Sequence, residues 1–93
     1  MGKYHLKLYI TGQTPRSENA IRNLREICTE NLDEKYEIEI IDILEHPQLA
    51  EDERILATPT LIKSLPPPLR RLIGDLSETE KVLFGLDIRP CKM

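Results

Sequence analysis

The apolar and polar positions divide this chain into seven segments. Over residues 4–10, Leu6, Leu8 and Ile10 alternate with His5, Lys7 and Tyr9. A period of two predicts a strand with one buried and one polar face. Thr11-Gly12-Gln13 ends it, Thr14 suits a helix N-cap, and Pro15 suits the first helical position. Ala20, Ile21, Leu24, Ile27, Cys28 and Leu32 recur at helical spacing and predict one buried stripe. After a turn over 31–35, the Ile-rich run 36–43 predicts a second strand. Pro47 opens a second, shorter helix, with Leu49, Ala50, Ile55 and Leu56 as its apolar contacts. Residues 60–64 and 70–74 predict a third and a fourth strand. Ser77-Glu78-Thr79-Glu80 has the spacing of a capping box. The last helix follows it with Val82, Leu83 and Leu86 turned inward. The order is βαβαββα, with the first two strands parallel through a right-handed crossover. This is a thioredoxin-like α/β arrangement in one domain over 1–93, with a core over 4–88 and a short tail over 89–93.

Prolines punctuate the second half. Thr58-Pro59-Thr60-Leu61 resembles the proline-led strand of the thioredoxin-like fold, where the X-Pro bond is often cis, an isomer only about 0.5–1 kcal/mol above trans. Pro66, Pro67 and Pro68 fix three φ angles and remove three donors in a row. No helix or central strand runs through them, so they form a stiff joint.

Composition narrows the class. Forty per cent of the chain is hydrophobic, 31% is charged, and the net charge is −3. These values fit a soluble globular domain and do not fit a disordered chain. No apolar run approaches the ~18–20 residues that span a bilayer, and the N-terminus lacks the apolar region of a signal peptide. The expectation is a cytoplasmic protein that acts on no membrane. The acidic balance and four aromatic residues argue against a nucleic-acid partner.

The chemistry of an enzyme is missing from the pattern. A thioredoxin-like oxidoreductase carries its CxxC after the first strand, and residues 11–17 here read TGQTPRS. Cys28 lies on the apolar stripe, where a cysteine packs as a small hydrophobe. Cys91 falls in the tail. His5 and His46 have no second ligand at metal spacing, and Glu51-Asp52-Glu53 reads as a solvated helix face. No phosphate-binding glycine motif occurs. No cofactor or metal is expected, and the chain reads as a non-enzyme.

What remains is binding. Arg70 and Arg71 have the fork geometry for a partner's carboxylates, with a solvated strand edge as the equal alternative. Lys7, Arg54 and Lys63 are further candidate contacts, against a reading as ordinary surface charge. The second strand, with Ile40 and Ile41, suits either burial or a sheet edge open to a partner strand.

Leu6-Lys7-Leu8-Tyr9-Ile10 with Gly12 and Thr14-Pro15, Ile41-Asp42-Ile43-Leu44 with Pro47-Gln48-Leu49-Ala50-Glu51, the run ATPTLIKSLPPPLRRLIGDL, and Lys81-Val82-Leu83 with Gly85-Leu86-Asp87 resemble the KaiB family in the same order. The resemblance implies a switchable, non-enzymatic binding module of a circadian clock. It implies two folds, a tetrameric ground state and a monomeric thioredoxin-like state that binds the N-terminal ATPase ring of KaiC. That complex captures KaiA through the second strand, displaces the sensor domain of the clock histidine kinase SasA, and favours KaiC dephosphorylation.

Carried onto this chain, the implied KaiC-facing residues are Gln48, Leu49, Ala50, Arg54 and Lys63, with Lys7. The implied switching hinge is Gly85 and Asp87, and Pro59 and Pro66 to Pro68 change environment between the folds. Pro90 replaces an aromatic common in relatives, Asn19 replaces a basic residue, and an acidic C-terminal extension is absent. These departures predict a preference for the monomeric fold, and a paralogue acting without a clock. Two alternatives stand beside the clock reading. One is a stress-response adaptor of a KaiC-type ATPase, and the other is a redox-dead relative of thioredoxin-like enzymes.

Overall fold

The computed structural model describes residues 3–32 and 35–88. The seven elements are β1 (Tyr4–Ile10), α1 (Pro15–Asn31), β2 (Tyr36–Asp42), α2 (Pro47–Asp52), β3 (Thr60–Leu65), β4 (Arg70–Ile73) and α3 (Thr79–Gly85). They form a four-stranded sheet in the order β2-β1-β3-β4. β1 runs parallel to β2 and antiparallel to β3, and β4 is antiparallel to β3. β2 therefore lies at one edge, as one reading of its sequence had it, and β4 at the other.

The predicted signals start α1. Thr14 is its N-cap in extended conformation, its Oγ1 accepts the Ser17 N–H at 3.1 Å, and Pro15 follows at the first helical position. The stripe Ala20, Leu24, Ile27, Cys28 and Leu32 is buried against Tyr4, Leu6, Leu8 and Ile10 of β1. Val82, Leu86 and Ile88 join the same cluster, so α1 and α3 cover one face of the sheet. The opposite face has a smaller cluster of Tyr9, Ile41 and Ile62, capped by Ile43 and Ile55.

Several expectations fail at this level. Tyr9 is buried because the segment after α2 folds over the second face. Burial, followed by the charge of Glu53, raises its phenol above the usual pKa. α2 buries none of its residues. Leu49 is 39% and Leu56 93% exposed, so of the four predicted apolar contacts Ile55 is the one packed on a core cluster. The capping box does not form. α3 starts at Thr79 with Glu78 as N-cap and no side-chain cap bond, while the Ser77 amide donates to Asp75 Oδ1 at 3.2 Å.

Lys63 is the largest correction. Expected at the surface, it is 1% exposed. Its pairing with Leu6 puts it on the α1–α3 face of the sheet, two residues from buried Leu61. Pro90 and Cys91 lie outside the described residues, as do the other residues of the tail.

Candidate partner-binding face

Both short helices end in the same way. In α2 the Ile55 amide donates to the Ala50 carbonyl at 2.9 Å and Arg54 to Glu51 at 3.1 Å. In α3 Ile88 donates to Leu83 at 2.9 Å and Asp87 to Phe84 at 3.1 Å. These paired bonds are Schellman motifs, which need a left-handed residue just past the helix. Arg54 (φ 55°) and Asp87 (φ 54°) fill that position, where glycine is usual. Gly85 instead occupies the last turn of α3.

The motif at Arg54 turns the chain from α2 into Ile55, which anchors on Tyr9, Ile41 and Ile62. What faces out is apolar: Leu44 (67% exposed), Leu49 and Leu56. In the same segment Gln48 Nε2 donates to Asp52 Oδ1 at 3.0 Å, Ala50 is partly exposed and Arg54 is exposed. Asp42 at the end of β2 ties this rim to the loop after β1, since its Oδ1 accepts from Gly12 N at 3.1 Å and Leu44 N at 2.9 Å. Gly12 has φ 61°, a conformation glycine reaches without a Cβ penalty.

The eight candidate contacts separate. Gln48, Leu49, Ala50 and Arg54 share this patch. Arg71 joins it from β4, donating through Nη2 to Glu53 O at 2.8 Å and through Nη1 to Arg54 O at 3.3 Å. Lys7 lies on the same sheet face, half-buried, opposite Ile62, which is opposite Arg71. Lys63 and Arg70 lie on the other face. Arg70 lines an open groove of about 630 Å³ with Glu80, Leu83 and the 90% exposed Phe84. Sequence reasoning missed Leu44, Leu56 and Phe84 as exposed apolar positions. The spacing of Leu49, Ala50, Ile55 and Leu56 fits one face of a longer helix, and only the end of α2 at Asp52 separates Leu56 from it.

The place of a thioredoxin active site holds hydroxyls. Thr11 Oγ1 lies 2.6 Å from Thr58 Oγ1, beside the cis Thr58-Pro59 bond that the sequence led us to expect. Leu65-Pro66 and Pro67-Pro68 are also cis. Cys28 is fully buried, and burial pushes its thiol up to about 12. Among the described residues no cluster of His, Cys, Asp and Glu has the arrangement of a metal site. No described helix is long and apolar enough to cross a membrane.

The KaiB domain matches residues 7–88, a span that holds every one of these candidate positions. This chain belongs to the KaiB family. Circadian clock protein KaiB3 of Synechocystis is 61% identical over 90 residues, covering 97% of this chain and 88% of that protein. Circadian clock oscillator protein KaiB of Prochlorococcus marinus (strain MIT 9312) is 58% identical over 85 residues, 91% of this chain and 81% of its own. Such relatives of this KaiB-family chain are named as clock proteins and not as enzymes. Its fold is thioredoxin-like. The N-terminal domain of Synechococcus elongatus SasA superposes with a TM-score of 0.77 at 20% identity, covering 100% of this chain and 91% of that one. Mitochondrial thioredoxin 3 of Saccharomyces cerevisiae gives 0.72 at 14% identity, over 94% and 79%.

Proposed function

We propose that this KaiB-family chain is a non-enzymatic binding module that docks on the N-terminal ATPase ring of a KaiC-type protein. The observation that carries the reading is that one segment, residues 44–56, exposes Leu44, Leu49 and Leu56 together with the polar side chains of Gln48 and Arg54. A surface cluster of large apolar side chains with polar neighbours is the usual form of a protein interface. In this reading Lys7 and Arg71 flank the patch, and Arg70 belongs to a different surface.

The reading extends to a clock. β2 offers an unpaired edge for KaiA, and the shared fold gives the chain a framework with which to compete against the SasA sensor domain for the ring. The outcome is KaiC dephosphorylation. The hinge of a switch to a second, tetrameric fold lies at Pro59, Pro66 to Pro68, Gly85 and Asp87. The small size of the elements there supports this part. β4 has four residues and α3 seven, lengths that depend on their neighbours for stability.

The test is binding of the purified chain to a purified KaiC-type ring. The wild-type chain is expected to bind. Leu56→Glu and Leu49→Glu are expected to weaken binding at least about tenfold with the unfolding midpoint unchanged. Equal affinity for wild type and both variants would overturn the reading.

A further inference from the structure

Arg71 belongs to an edge strand, yet its guanidinium reaches the far end of α2. The Schellman bonds satisfy the carbonyls of Ala50 and Glu51. The carbonyls of Glu53 and Arg54, just past the helix, accept from Nη2 and Nη1 of Arg71 at 2.8 Å and 3.3 Å. α2 has no basic residue in its last turn, and besides Arg54 just past the helix, Arg71 of β4 brings a cation to its negative end.

The consequence lies in how little else holds α2. A six-residue helix is not stable by itself, and none of its residues is buried. Apolar anchoring begins only at Ile55, on Tyr9, Ile41 and Ile62. Leu49 and Leu56 lie on either side of the turn at 53–55, so the direction in which each faces depends on that turn. The turn itself contains a left-handed arginine, a conformation that needs outside support. Two bonds from one planar fork supply it.

We propose that Arg71 is a positioning residue that clasps the end of α2 to β4 and thereby sets the shape of the partner-binding face. This rests on the reading of that face as the docking surface for the ring. A guanidinium fits because it presents two donors in fixed relation to two adjacent carbonyls, which a lysine ammonium does not.

Two variants and two readouts test it. Hydrogen exchange by NMR on the free protein follows the amides of Glu53, Arg54 and Ile55, which donate to Leu49, Glu51 and Ala50. Affinity for a KaiC-type ring is measured at low and high salt. Arg71→Gln is expected to lower protection at these three amides by about tenfold, with the amides of β1 unchanged. It is expected to weaken ring binding by a comparable factor at both salt concentrations. Arg71→Lys is expected to restore less than half of either loss on a logarithmic scale. Unchanged protection in the free protein overturns the clasp. So does a binding loss that fades at high salt with the free protein unaltered, since Arg71 would then be a direct ionic contact. Lost protection with unchanged affinity overturns the link between clasp and face. If the wild-type chain fails to bind the ring, the docking reading falls, and the exchange data alone still decide the clasp.

Discussion

The Lys63 ammonium donates to the backbone carbonyl of Asp87 at 3.3 Å from inside the core face of the sheet. The same ammonium stands 6.0 Å from the centroid of the Tyr4 ring. β3 is thereby joined to the residue that ends the Schellman motif of α3. The aliphatic stem fills core volume beside Leu6 and Leu61, and the head meets the helix end, where cations are favoured.

Lys63→Ala removes both the stem and the bond. It is expected to destabilise the protein by about 2–4 kcal/mol, read as a lower urea midpoint. Lys63→Met keeps the volume and loses the polar contacts of the ammonium, the bond to Asp87 among them, at a cost of about 1.5 kcal/mol. A Met variant as damaging as the Ala variant would show that the polar contact outweighs the packing.

Gly85 is helical, with no left-handed φ to require it. A Cβ there would meet Leu72 Cδ1 at 3.4 Å, an ordinary van der Waals contact. Glycine within a helix costs about 0.5–1 kcal/mol relative to alanine. Gly85→Ala is therefore expected to raise stability by up to that amount, with greater exchange protection in α3. Thermal unfolding and NMR check both.

Arg54 carries the opposite conflict, a Cβ in the left-handed region. Arg54→Gly is expected to stabilise the fold by about 0.5–1 kcal/mol, while Arg54→Ala, which keeps the Cβ, gives no gain. Both variants lose the guanidinium on the proposed docking face. Chemical denaturation thus separates the backbone effect, seen only with Gly, from a binding effect shared by both.

Cys28 gives a pH dependence. Its thiol titrates near 12 in the folded state, against an ordinary value of 9.0. Between those values the unfolded chain has lost a proton that the folded chain retains. Stability therefore falls as pH rises from about 9 towards 12, by at most about 1.4 kcal/mol per pH unit from this group. In a Cys91→Ser background at pH 8, Cys28 is expected to react with a thiol reagent only at the rate of unfolding. Prompt labelling of the native protein would contradict its burial.

Much of the fold was legible because local patterns agreed with tertiary need. The Leu6-Leu8-Ile10 alternation, the Thr14-Pro15 start and the stripe from Ala20 to Leu32 each have a single solution, a strand and a helix sharing one core face. The N-terminal βαβ unit followed from such signals, and the cis bond before Pro59 from the likeness of Thr58-Pro59-Thr60-Leu61 to the proline-led strand of thioredoxin-like folds. The capping box at Ser77 was a false reading, because Asp75 takes the Ser77 amide.

The candidate face was legible only in part. Gln48, Leu49, Ala50 and Arg54, implied by the family resemblance, all lie in α2 or just past its end. Lys63 was wrongly grouped with them, because a lysine in a strand gives no sign of which face it lies on. Pairing with Leu6 settles that, and sequence does not specify pairing. Phe84 was overlooked because an aromatic in a short helix is expected inside.

The sequence by itself determined the order of elements, the one buried stripe of α1, the proline joint and the absence of a thiol at residues 11–17. These depend on local spacing and residue chemistry, which contacts far along the chain do not alter. Only the tertiary structure decided that Tyr9 and Lys63 are buried, that Leu56 and Phe84 are exposed, and that Arg71 closes the end of α2. Each depends on which strand lies beside which and on what covers the second sheet face. Those relations join residues distant in the chain, and sheet packing sets them after the local elements have formed.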